Sequence, residues 1–173
     1  YKINGQGRLW HCWKRSGHGT CTVTEALAYN CDVFFYEVGL KLGPDKIQAW
    51  STKLGLGRET GIDLAGEQSG LIPGPAWKAD RYADKPQWDQ KWYPGDTVNL
   101  SIGQGAAQAT PLQPAVMMAV LVNGGHGVTP RFYKRSDPVQ TTPLLSVETQ
   151  EILQGALRMA VEKSPPDYPL GTG

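Results

Sequence analysis

Three sets of side chains in this sequence are of types that react, ligate or orient. The first is Gly17-His18-Gly19, where an imidazole between two glycines has the chemistry of a general base. No acidic residue lies near it in sequence to orient the ring, so the expectation is a histidine that hydrogen-bonds its own loop. The second set is Cys12, Cys21 and Cys31, with His11 and His18 beside them. Cysteines 9 and 10 positions apart match no zinc signature of the CxxC kind, and an odd count excludes a closed disulfide framework. The third is Gly103-Gln104-Gly105, which lacks the third glycine and the following lysine of a phosphate cradle. The sequence holds no GxSxG elbow, no Walker A loop, no GxGxxG and no HExxH. No cofactor is assigned, and no metal-binding set closes within the spacing.

The elements that must position these groups are mostly helices. Thr22-Val23-Thr24-Glu25 has the capping-box form, so a helix is expected over 23–29. Asn30-Cys31 reads as a break, with Asp32 as a second N-cap. Val33, Phe34, Tyr36, Val38 and Leu40 then suit a buried helix ending at Gly43, and Pro44 opens a third that stops at Gly55. Residues 56–94 carry Gly, Pro and Trp without periodicity and are expected to form one long loop. A short strand is expected from Thr97 to Ser101, running into the turn Ile102-Gly103-Gln104-Gly105. Thr110-Pro111-Leu112-Gln113 is a second capping box, and it opens a helix to Val122 that is apolar nearly all round and so should be buried. An edge strand is expected over Val128–Tyr133. Ser146 should cap a last helix with Ile152, Leu153, Ala156, Leu157, Ala160 and Val161 on one face.

Composition sets the outer bounds. The 173 residues fit one domain or a large part of one, and 40 % hydrophobic with 19 % charged residues is enough for a core and too balanced for disorder. Lys and Arg total 17 against 16 Asp and Glu, so no basic excess points to nucleic acid. The longest apolar run, Ala115 to Val122, is far short of the ~20 residues of a membrane helix. Tyr1 stands where an initiator methionine would be, so the expectation is a segment of a longer protein. Twenty-one glycines and 13 prolines indicate long ordered loops, and the six tryptophans are expected to anchor those loops rather than stack on ligands.

Several of these strings, taken in order, resemble one family. They are Gly17-His18-Gly19, Asn30-Cys31-Asp32-Val33-Phe34-Phe35-Tyr36, Gly61-Ile62-Asp63-Leu64, Gly70-Leu71-Ile72-Pro73 and Trp77-Lys78. Gly95-Asp96-Thr97, Ile102-Gly103-Gln104-Gly105 and Thr110-Pro111-Leu112-Gln113 continue the series. Each string is weak alone, but in this order and spacing the chain resembles the transpeptidase domain of class B penicillin-binding proteins, in its elongation-specific branch, over nearly its whole length. The resemblance implies an α+β fold, with an antiparallel sheet between helical layers, of which residues 1–173 supply mostly the helical portion. It also implies a D,D-transpeptidase that cross-links peptidoglycan stem peptides through an acyl-serine intermediate. Implied partners are stem peptides, β-lactam antibiotics and the membrane glycan polymerase of the elongation complex. The implied location is the periplasm or the extracytoplasmic face of the membrane, with a membrane-anchored parent.

The family's signatures are Ser-x-x-Lys, Ser-x-Asn and Lys-Thr-Gly. Here no serine is followed three positions later by lysine, and Leu170 precedes Gly171-Thr172-Gly173 where a lysine is needed. The resemblance places the nucleophile and the Lys-Thr-Gly strand outside these residues, so the chain alone is expected to be inactive. Asn30-Cys31-Asp32 occupies the place of Ser-x-Asn, which makes Asn30 and Asp32 the candidate catalytic residues; Gln104 is a candidate substrate-binding residue. An amide at position 30 can hydrogen-bond but cannot relay a proton as a hydroxyl does. Some relatives bind zinc near this region through Asp, His and Cys, and Cys12 with His11 lies about where such ligands fall. Two other readings stay open: a non-catalytic scaffold or docking module of the cell-wall machinery, which Asn30 favours, and a β-lactam sensor or β-lactamase relative.

Overall fold

The computed structural model describes residues 1–3, 7–134 and 141–162; Gly171-Thr172-Gly173 lies outside the described residues. Eight helices follow one another among them: α1 (Val23–Ala28), α2 (Asp32–Leu42), α3 (Pro44–Lys53), α4 (Pro75–Arg81), α5 (Gln87–Gln90), α6 (Pro94–Ser101), α7 (Leu112–Val122) and α8 (Val147–Glu162). Among the described residues there is no strand, and three isolated bridges pair Lys2 with Leu9, Leu71 with Gln108 and His126 with Pro143.

The starts of α1 and α3 follow their sequence signals. Thr22 accepts from the Glu25 N–H while the Glu25 carboxylate accepts from the Thr22 N–H at 2.8 Å, so both arms of the capping box form. Helix α2 departs by one position from the expected cap: Asp32 is its first residue and Cys31 its N-cap, without a side-chain cap bond, and it stops at Gly43, whose φ of 79° is costly for any residue with a Cβ. Pro44 then opens α3 in the first turn, where its missing N–H costs nothing.

Three expectations are corrected. Residues 56–94 are not one loop, since α4 and α5 interrupt them; each begins beside a proline and is too short to show periodicity. Residues Thr97 to Ser101 are not a strand but the body of α6. Pro94 sets the first turn, Asp96 reaches back to the Tyr93 N–H at 2.8 Å, and the Trp92 indole donates to the Thr97 hydroxyl at 2.8 Å. Local capping here outweighs the β-propensity of Thr and Val. Residues Val128–Tyr133 form no strand either: the Asp63 carboxylate accepts from the Phe132 and Tyr133 N–H groups, taking donors that a ladder would need.

Packing is built on α2, which lies against α3 and α6, and on α8, which lies against α1 and α7. At the α2–α6 crossing, a Cβ on Gly39 would stand 2.3 Å from the Ser101 Cβ, so the helices meet where one of them has no side chain. Helix α7 is less enclosed than its composition suggests: Val116 and Val120 are buried, but Met118 and Val122 are exposed. In α8 the expected apolar face is split, with Ala156 buried and Ile152 and Val161 exposed.

One buried amide organises the loops. Gln113, fully buried in the first turn of α7, donates from Nε2 to the carbonyls of Arg58 (2.6 Å) and Ser69 (2.8 Å), and its Oε1 accepts from the Thr110 N–H (3.1 Å). The expected capping box at Thr110 therefore forms by one arm, and the Thr110 hydroxyl is buried without a hydrogen-bond partner. Beside it, a Cβ on Gly70 would lie 2.5 Å from the Gln108 carbonyl, so this position has room for hydrogen alone. Replacing Gln113 by Leu keeps the volume but strands three buried backbone groups, and is expected to cost about 2–4 kcal/mol in chemical denaturation. A loss below about 1 kcal/mol would show that water replaces the amide.

The same loop carries an acid-sensitive clasp. Glu67 accepts from the Thr60 hydroxyl, the Thr60 N–H (2.7 Å) and the Gly61 N–H (3.0 Å). The Thr60 side-chain hydrogen bond is the main cause that holds its carboxyl below the usual range, as the Phe132 N–H does for Asp63. Groups with depressed values stabilise the fold above the ordinary carboxylate range, and that contribution is lost as pH falls through their folded values. The amide resonances of Thr60 and Gly61 are expected to titrate with a midpoint below the 4.5 of a free glutamate. A midpoint at or above that value in an NMR titration would disprove the clasp.

Candidate functional site

The turn between α1 and α2 gathers the groups with chemistry. Tyr29 closes α1 and Asn30 follows at φ 50°, a left-handed conformation that asparagine tolerates better than most residues. The Cys31 N–H donates to the Ala26 carbonyl at 2.9 Å, which folds the chain back on α1 before α2 begins. Trp13 locks this turn from outside: its indole N–H donates to the carbonyls of Tyr29 (3.1 Å) and Asn30 (3.0 Å), and its backbone N–H donates to the Asp32 Oδ2 at 2.8 Å. Asn30 itself is exposed. The two expected residues thus share one turn but differ in role. The Asp32 carboxylate is engaged with the backbone and positions the turn, whereas Asn30 presents an amide to solvent.

Gln104 sits elsewhere, in the turn after α6. Gly103 and Gly105 adopt φ of 71° and 80°, and the Gln104 N–H donates to the Asn99 carbonyl at 2.9 Å. Its side chain lines a hollow with Lys78 and Asp96, not the one beside Cys31. The α2–α6 crossing at Gly39, about two turns along α2 from Asp32, connects the two places.

Behind the turn, the structure assembles a donor set that spacing alone did not reveal. The side-chain donor atoms of Cys12, His18 and Cys31 all lie within 4.8 Å of one another, with Cys12 and Cys31 buried and His18 half-buried. The Cys12 Sγ is 3.4 Å from the His18 Nδ1. The His18 ring stacks on Tyr29 at 5.9 Å and meets Trp13 edge-on at 5.3 Å. Its partner is therefore a thiol and two aromatic rings rather than an acid, which does not suit a general base. His11, the neighbour singled out in sequence, is exposed and outside the set, while its carbonyl accepts from the Tyr36 hydroxyl. Gly17 and Gly19, at φ of 75° and 68°, flank His18 in the turn that brings it to Cys12.

Burial favours the uncharged forms of two members of this set. Burial pushes the Cys12 thiol up, and burial, with Lys14 adding to it, pulls the His18 imidazole down. Two thiols and a neutral imidazole are soft donors that match zinc, whose tetrahedral bonds of ~2.0–2.3 Å place ligand atoms about 3.5–3.8 Å apart. The side chains need contract only slightly to meet that spacing. A bound cation would displace the thiol protons and tie the 12–18 segment to the start of α2.

The chain as a whole is similar to known proteins. A model of the penicillin binding protein transpeptidase domain matches residues 1–171. The peptidoglycan D,D-transpeptidase MrdA of Escherichia coli (strain K12) is 41 % identical over 125 residues, which are 72 % of this chain and 19 % of that protein. Pseudomonas aeruginosa PBP2, solved in complex with WCK 5153, superposes with a TM-score of 0.82 at 31 % identity, over 95 % of this chain and 36 % of that one. A complex between PBP2 and MreC from Helicobacter pylori gives 0.70 at 32 % identity, over 86 % of this chain and 26 % of that one. The chain spans about a fifth of the length of the curated relatives it matches.

The donor set makes a direct prediction. Cobalt(II) added to the reduced chain is expected to give a thiolate-to-metal charge-transfer band at one equivalent. Cys31→Ser or His18→Ala should weaken binding by tenfold or more, and His11→Ala should leave it unchanged. A chain that shows no such band, or a band that survives both substitutions, would remove these residues as ligands.

Proposed function

The chain belongs to the penicillin-binding protein transpeptidase domain family, and on that premise we propose that it is part of a peptidoglycan D,D-transpeptidase that cross-links stem peptides through an acyl-serine intermediate. The observation that supports the reading is the Asn30-Cys31-Asp32 turn, which the resemblance assigns to the family's middle motif and whose backbone Trp13 holds. Asn30 there offers an amide edge to a peptide substrate, and Asp32 keeps the turn in shape. The serine that would be acylated is outside these residues, since none of their serines is followed three positions later by lysine. By themselves the 173 residues are inactive. The partners under this reading are stem peptides, β-lactams and the glycan polymerase of the elongation complex, at the extracytoplasmic face of the membrane. Membership of the cell-wall machinery is supported by the MreC-bound relative.

Asn30 favours a second reading, a non-catalytic module of the same machinery, because an amide cannot pass a proton to a leaving amine. One experiment separates the two. Residues 1–162 are joined to the flanking segments of the E. coli relative that carry its Ser-x-x-Lys and Lys-Thr-Gly motifs, and exposed to a fluorescent penicillin with intact-mass detection. The 173-residue chain should remain unlabelled and the chimera should be acylated. A chimera acylated only after Asn30→Ser would favour the scaffold, and an adduct on the short chain would overturn the assignment of the nucleophile.

A further inference from the structure

The segment from α4 to the start of α6 carries Trp77, Tyr82, Trp88, Trp92 and Tyr93, and three of these large rings are substantially exposed: Trp88 at 67 %, Tyr93 at 41 % and Tyr82 at 36 %. Loop anchoring, the role expected of these tryptophans, accounts for Trp92, whose indole is tied to Thr97. It does not account for Trp88.

Two hollows open among these rings. The first, of about 220 Å³, is walled by Trp77, Tyr82 and Trp92 and reaches Lys78, Asn99 and Gln104. The second, wider at about 550 Å³, is lined by Trp88 and Tyr93 with Gln87, Gln90 and Lys91. They share no lining residue, but Lys78, which lines the first, holds its Nζ 5.4 Å from the centre of the Tyr93 ring that lines the second. Lys91 lies 5.7 Å from that ring centre.

The lining restricts the ligand. A small anion would have no use for the rings, and Lys78 is already paired with Asp96 at 2.7 Å. A purely apolar ligand would desolvate Asn99, Gln104, Gln87 and Lys91 without returning hydrogen bonds. What fits is a molecule with flat faces of C–H bonds and edges of hydroxyl and amide groups. The C–H faces carry slight positive charge and lie favourably on the negative faces of indole and phenol rings. The edges can exchange hydrogen bonds with side-chain amides, which both donate and accept. The Gln90 Nε2 already donates to the Lys85 carbonyl at 2.7 Å, and this leaves its Oε1 as an acceptor for a ligand N–H.

We propose that the two hollows along α4, α5 and the start of α6 form a binding site for an N-acetylated amino-sugar oligosaccharide, of the kind found in the glycan strand to which stem peptides are attached. The choice of amino sugar rests on the function proposed above; the aromatic and amide lining stands independently of it. The site would hold the glycan on the transpeptidase body while the attached stem peptide is processed.

The test uses the whole 173-residue chain and a β-1,4-linked N-acetylglucosamine tetramer, with cellotetraose as the control that lacks acetamido groups. Tryptophan fluorescence and the indole N–H resonances report binding, so no nucleophile is involved. Saturable binding of the acetylated tetramer that shifts the Trp88 indole, and that falls at least tenfold in Trp88→Ala, is expected. Cellotetraose should bind at least tenfold more weakly. No saturation by the acetylated sugar at millimolar concentration would overturn the proposal and leave this aromatic surface to a protein partner. Equal binding by Trp88→Ala, or by cellotetraose, would overturn it as well. Saccharide binding and penicillin acylation of the chimera are separate readouts, so an acylated chimera from a chain that binds no sugar sinks this proposal alone.

Discussion

A single side-chain amide, buried where α7 begins, sets the geometry of the central loops. Gln113 is the meeting point of three stretches of backbone, around Arg58, Ser69 and Thr110, none of which has a regular element to satisfy it. A buried carbonyl without a donor is expensive, so these loops can leave water only together and only around this residue. The paired hydrogen bonds between Leu71 and Gln108, at 2.7 and 2.8 Å, extend the arrangement toward the turn that carries Gln104. The position of Gln104 thus depends on an amide nine residues further along the chain, through loops rather than through a sheet.

Two helix starts were legible in the sequence because a local signal marks each of them. Thr22 with Glu25 and Pro44 after Gly43 encode their elements within four residues, and the structure follows them. The segment 94–101 was misread because Thr97 and Val98 suggest a strand, whereas the deciding contacts involve Pro94, Asp96 and the Trp92 indole. The short helices at 75–81 and 87–90 span too few turns to leave a periodic trace. Val128–Tyr133 was misread for a different reason, since its donors are taken by Asp63, about seventy positions earlier in the chain.

The site was legible to the same degree. Asn30 and Asp32 could be chosen by the order of motifs, and the structure adds how they differ: one faces solvent, the other is held by the Trp13 backbone. The meeting of Cys12, His18 and Cys31 could not be read, because it arises when a glycine-punctuated loop folds over α1. Spacing rules for metal ligands describe turns and helices, and this set belongs to neither. The aromatic surface at 77–93 was visible as composition, but the exposure of Trp88 is a fact of tertiary structure alone.

The left-handed backbone at Asn30 also bears on the history of the position. A residue at φ 50° is selected by conformation as well as by chemistry, and asparagine, aspartate and glycine are the side chains that enter this region at low cost. A serine there would bring a hydroxyl together with backbone strain of about 1–2 kcal/mol unless the turn relaxed. The indole of Trp13, which binds the carbonyls on both sides of the Tyr29–Asn30 step, opposes that relaxation. Positions 13 and 30 are therefore linked through the backbone: the tryptophan seventeen residues upstream holds the conformation that asparagine tolerates and serine would strain.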